Sequence, residues 1–200
     1  MAKKTCGFLF ALAVGWIWRG GFLAQGATEV IPAPGAAIVR LKKTDGQTEE
    51  KTRQLEKAEP NVYRLRIPIR EIARDTETID VVVASATAKK GEAGYFVVST
   101  GLLGTFRENS GFLEERRNPM PIFGMKNPRG AFVGIVKGLK YEFKTVVEVK
   151  NGVYKIFPRF LIKEMVFEPY EDIVVDFYTL EGDDANYSGM ARTYRKYQLD

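Results

Sequence analysis

From Tyr141 to Lys163 polar and apolar residues alternate in two runs that meet at Asn151-Gly152. Phe143, Thr145, Val147 and Val149 share one parity, and Glu142, Lys144, Glu148 and Lys150 the other, the period of a half-buried strand. Beyond the Asn-Gly pair, Tyr154, Ile156, Phe160 and Ile162 lie on one face, opposite Lys155, Arg159 and Lys163. Asn-Gly suits the two positive-φ positions of a type I′ turn, so the segment predicts a β-hairpin. A lone hairpin is marginal in water, and its apolar face needs a second layer.

The flanking chain offers more strands. Ala36 to Lys42 predicts a first one, and Val62 to Ile69 alternates Tyr63, Leu65, Ile67 and Ile69 against Arg64, Arg66, Pro68 and Arg70. Pro68 marks an edge or the strand's end. Ile79 to Ala84 is continuously apolar, as in a strand covered on both faces, and Gly94 to Ser99, Ala131 to Lys137 and Ile173 to Leu180 follow. Lys43 to Glu59 is polar throughout; within it, Gln47 to Lys57 is a short exposed helix or a loop, and a solvated connection is the favoured reading. Thr100 to Arg117, with Gly101, Gly104 and Gly111, is irregular, the kind of loop on which binding residues sit. After Gly182 the period changes. Asn186 or Ser188 caps a helix whose inner stripe is Tyr187, Met190, Ala191, Tyr194 and Tyr197 or Gln198, with Arg192, Arg195 and Lys196 outside. Spaced short strands without long helices predict a mainly β chain, an antiparallel β-sandwich with a short C-terminal helix.

The first 26 residues change how the charge is read. Lys3 and Lys4 precede the apolar run Cys6 to Trp18, and small residues surround a cut after Gly26, the pattern of a secretory signal peptide. The run is short for a membrane span and Arg19 interrupts it, so no stable span is expected after cleavage. Removing Lys3, Lys4 and Arg19 leaves 27 basic residues against 25 acidic, and the net charge falls from +5 to +2. With no basic cluster beyond pairs such as Arg116-Arg117, no nucleic-acid partner is expected. The only cysteine, Cys6, and both tryptophans also leave. The expected organisation is a signal peptide at 1–26, a lead-in with a first strand and a polar loop at 27–60, a β-sandwich at 61–182, and at 183–200 the start of a helix leading to a further domain. The expected location is secreted, periplasmic or extracellular.

There is no histidine, which excludes histidine triads, histidine metal sites and histidine acid/base chemistry. No thiol nucleophile and no phosphate-binding glycine loop remain, and no metal or cofactor is expected. Carboxylates are left: Glu164, Glu168, Glu171, Asp172, Asp176, Glu181, Asp183 and Asp184 crowd the C-terminal third. A glycosidase needs only two, but no spacing singles out a pair, so no catalytic residue is assigned. Tyr95, Tyr141, Tyr170 and Tyr178 could serve as sugar platforms, although most fall within strand patterns.

Met120-Pro121-Ile122-Phe123-Gly124-Met125, Ala131-Phe132-Val133-Gly134-Ile135-Val136 and the run Asn186 to Tyr197 are similar to the N-terminal region of secreted bacterial glycosidase-like proteins. These include a large family of unknown function in which a mutarotase-like sandwich, or supersandwich, precedes a (β/α)8 barrel. The resemblance covers about residues 60–199. It implies a non-catalytic module that supports a downstream barrel, with the catalytic carboxylates in that barrel, and a carbohydrate ligand to which the sandwich lends a loop. Arg107, Asn127 and Arg129 are the candidate substrate contacts. The alternative is an autonomous carbohydrate-binding, structural or adhesion module.

Overall fold

The computed structural model describes residues 34–83, 85–114, 120–165 and 168–199. The expected signal peptide, and Ala84, lie outside them. Two seven-stranded antiparallel sheets face each other as a β-sandwich, with one short helix on an outer face. In the first sheet, β1 (Ala36–Lys43) lies between the edge strand β2 (Thr48–Gln54) and β5 (Thr76–Val83). β13 (Val153–Phe160) follows, flanked by β5 at one end and β6 (Thr87–Lys89) at the other, then β12 (Phe143–Lys150) and the edge strand β9 (Gly111–Glu114). The second sheet runs β3 (Glu56–Glu59), β4 (Val62–Ile67), β14 (Ile173–Leu180), β11 (Gly130–Gly138), β10 (Ile122–Asn127), β7 (Tyr95–Val98) and β8 (Gly101–Leu103).

The Asn-Gly hairpin forms as expected. β12 and β13 pair in unbroken register from Phe143 opposite Phe160 to Lys150 opposite Val153, and Asn151 and Gly152 take φ values of 52° and 72°. β13 stops at Phe160, and Ile162–Glu164 turn into a 3-10 helix. The inward parity of both sheets meets in one core, with Val39, Ile79, Val147, Ile156 and Phe160 from the first sheet facing Leu65, Met125, Val175 and Phe177 from the second. There Phe123, Phe132 and Phe177 meet with ring centroids 5.9–6.3 Å apart. Gly134 makes room for them, because a Cβ there would lie 2.2 Å from the Phe123 ring.

Two loop expectations are corrected. Gln47 to Lys57, read as a solvated connection, is mostly strand: β2 and the start of β3 are edge strands. An edge strand needs no apolar face, and charged side chains there discourage a second chain from pairing. Of the segment 27–60, expected to hold a first strand and a polar loop, residues 36–59 contribute strands to both sheets. The loop read from Thr100 onward contains β8 and β9, which belong to different sheets.

Helix α1 (Tyr187–Leu199) lies on the outer face of the second sheet. Met190 is fully buried against Val97, Ile122, Ala131 and Val133, with Tyr194 partly buried beside them. Tyr187 and Ala191, both expected inside, are exposed; Thr193 takes an inner position with Tyr194 and Tyr197. Asn186 is the cap, its Oδ1 accepting from the Gly189 N–H at 3.0 Å. The phenol of Tyr95 accepts the Tyr187 N–H at 2.9 Å, so a side chain of β7 also satisfies the first turn. Two glycines allow the close fit. A Cβ at Gly124 would come 2.5 Å from the Phe132 carbonyl and 3.1 Å from Met190 Sδ, and one at Gly189 would come 1.9 Å from the Asp184 carbonyl.

Candidate functional site

The three residues expected to contact substrate lie around one end of the sandwich and are used differently. Asn127 closes the β10–β11 turn, opposite Gly130, and is fully buried. Its Nδ2 donates to the Thr87 carbonyl at 2.8 Å and its Oδ1 accepts the Arg129 N–H at 2.9 Å. Arg129 donates to the same carbonyl at 2.7 Å and approaches Glu92 at 3.6 Å. Arg107 is exposed and lines a shallow hollow with Gly91, Glu92 and Thr105. The fold therefore brings Arg107 and Arg129 to the Gly91–Gly94 turn, while the amide of Asn127 holds β6 to the β10–β11 turn. Beneath them Phe96, Phe106 and Tyr154 cluster at 5.0–5.8 Å, and the Tyr154 hydroxyl donates to the Glu108 carbonyl.

A groove of about 400 Å³ runs between α1 and the outer face of the second sheet. Its floor is Val62 of β4, Tyr178 of β14 and Lys137 of β11; its helical wall is Gly189, Arg192, Thr193, Lys196 and Tyr197; Glu59, Pro60 and Asp184 close the rim. The wall is a single stripe, since these positions recur at three- and four-residue intervals along α1. Below the floor the Asp176 carboxylate, 1% exposed, accepts from Arg64 at 2.6 and 2.8 Å and pairs with Lys137 at 2.9 Å. The Lys137 ammonium also stands 4.9 Å from the centre of the Tyr197 ring, joining this network to α1.

Burial pushes the Asp176 carboxyl up, but the hydrogen bonds and charges of Arg64 and Lys137 outweigh it and hold the group below the usual carboxylate range. Asp172, held by the Ile69 N–H and Arg66, is also lowered. Burial, with the charges of Asp176 and Glu59, pushes the Tyr178 phenol up to about 12. Asp184 is paired with Arg192. Among the described residues, Glu59 and Lys196 have no ion-pair partner, and the hydroxyls of Tyr178 and Tyr197 have no protein hydrogen bond. The groove thus presents one open carboxylate, one open ammonium and two phenols.

Two further clefts among the described residues differ from it. On the outer face of the first sheet, one of about 470 Å³ is lined by ion pairs already formed, among them Arg159 with Asp80 and Glu114, beside Arg40 with Glu50 and Glu148. At one end of the sandwich, one of about 540 Å³ is lined by Ile69, Ile72, Ile162 and Met165 together with Arg74, Lys163 and Glu168. Among the described residues no group of three or more acidic, histidine or cysteine side chains could hold a metal, and no helix is long and apolar enough to cross a membrane. Comparison with known protein families, with curated proteins and with solved structures finds no match.

The groove was not foreseen as a unit. Tyr178 is among the tyrosines whose sequence suits a platform, and Arg192 and Lys196, expected on the outer face of α1, line the groove, but Glu59 and Lys137 carry no local signal. They meet only because β3, β4, β14 and β11 are neighbours in one sheet.

Proposed function

We propose that the chain is a non-catalytic β-sandwich module of an exported carbohydrate-active protein, supporting a companion barrel domain and contributing to substrate binding. The observation that carries this reading is the fitted seat of α1, made by Gly124, Met190, Asn186 and Tyr95. An arm held in this way transmits a fixed orientation to whatever it contacts, and it leaves Leu199 77% and Tyr187 43% exposed. Two of the carboxylates, Asp176 and Asp172, do not suit the role of a glycosidase acid. A glycosidase acid needs a raised pKa, whereas Asp176 and Asp172 are held down by cations and backbone donors.

Sequencing the reading frame past the codon for Asp200 tests the proposal. Alternating βα periodicity over a few hundred codons is the expected outcome. An immediate stop would overturn the accessory role and favour the autonomous module.

A further inference from the structure

We infer that the groove between α1 and the second sheet is a binding site for a neutral saccharide unit. The inference deepens the reading of the chain as part of a carbohydrate-active protein and rests on it. A sugar is a ring of hydroxyls, each both donor and acceptor, with an apolar C–H face. The groove answers each property. Glu59 offers an open acceptor and Lys196 an open donor, while the phenols of Tyr178 and Tyr197 do both. Pro60 and Val62, with the tyrosine rings, supply apolar surface.

The charge pattern decides between ligand classes. Lys137 is committed to Asp176 and Arg192 to Asp184, so the two open charges are one of each sign. An anionic sugar would satisfy Lys196 and be repelled by Glu59; a cationic one would meet the reverse. A neutral polyol accepts from one and donates to the other. The Tyr178 phenol, pushed up to about 12, stays a neutral donor throughout the physiological range. Thr193 donates to the Gly189 carbonyl at 3.0 Å and keeps lone pairs free.

Amide chemical shifts of the exported chain should be followed during titration with millimolar glucose, galactose, xylose or N-acetylglucosamine, and with glucuronate and glucosamine as the anionic and cationic comparisons. The expected result is saturable shifts at Thr193, Lys196 and Tyr197 with at least one neutral sugar, tighter than any charged probe. Glu59→Gln and Tyr178→Phe, both of which keep the side-chain shape, should each weaken binding about tenfold while leaving the spectrum otherwise folded. Lys51→Ala, on the exposed edge strand β2, should leave binding unchanged. Absence of shifts in the groove with every neutral sugar, or tighter binding of a charged probe, overturns the inference. Sugar-induced shifts confined to the Gly91–Arg107 end would also overturn the groove while preserving the wider carbohydrate reading, which the reading-frame experiment decides separately.

Discussion

Asn127 and Arg107 lie near the same end of the sandwich, yet they carry unequal loads. Replacing Asn127 with alanine takes the acceptor from the Arg129 N–H and one of two donors from the Thr87 carbonyl, inside a fully buried turn. Urea unfolding of Asn127→Ala should show a loss of about 1–3 kcal/mol. Arg107→Ala, at an exposed loop position, should stay within about 0.5 kcal/mol of the parent. Asp176 has the larger electrostatic role. Asp176→Asn leaves Arg64 and Lys137 facing a neutral amide; because both cations are about one-third exposed, water offsets part of the loss, and about 1–2 kcal/mol is expected. The pH dependence has a definite sign. Asp176 and Asp172 have folded pKa values below their unfolded ones, so the unfolded chain binds more protons as the pH falls below about 4. Their stabilisation is present above that range and is lost as the pH drops through the folded values. Asp176→Asn should therefore unfold with a shallower acid limb in a pH series of urea midpoints.

At the scale of elements, what could be read in the chain depended on whether a strand has an inner face. β12 and β13 were legible because every second residue enters the core and Asn-Gly fixes the register between them. β2 was not, because Thr48–Gln54 buries no complete face and its hydrogen bonds to β1 leave no mark on side-chain chemistry. Helix α1 was legible from its cap and Met190, but Ala191 was misplaced, since an alanine fits either side of a helix. The seat itself depends on glycines that carry no pattern. Gly124→Ala would press a Cβ against the Phe132 carbonyl and Met190 Sδ. The shorter of these contacts, 2.5 Å, is to β11 backbone, so Gly124→Ala should strain the β10–β11 pair and lower the urea midpoint of the whole chain as well as loosen α1. Met190→Ala empties a buried position and should cost about 2–5 kcal/mol, or appear as local detachment of α1 if the helix yields first. The groove needs that seat as well. Its wall is α1 and its floor is β4, β14 and β11, so no contiguous stretch of sequence could have announced it.

For the molecule as a whole, the central claim is that α1 belongs to the rigid body of the sandwich and is not a linker lying on its surface. An isolated helix of 13 residues is marginal in water, so any lasting protection of its amides must come from the sheet beneath it. Native-state hydrogen exchange, read peptide by peptide on the intact chain, measures this directly. The structure predicts that amides in the Met190–Tyr197 turns exchange slowly, in the same class as β10, β11 and β14, and that Met190→Ala accelerates α1 selectively. Exchange of the α1 amides at the rate of a free peptide, with the two sheets still protected, would contradict the account.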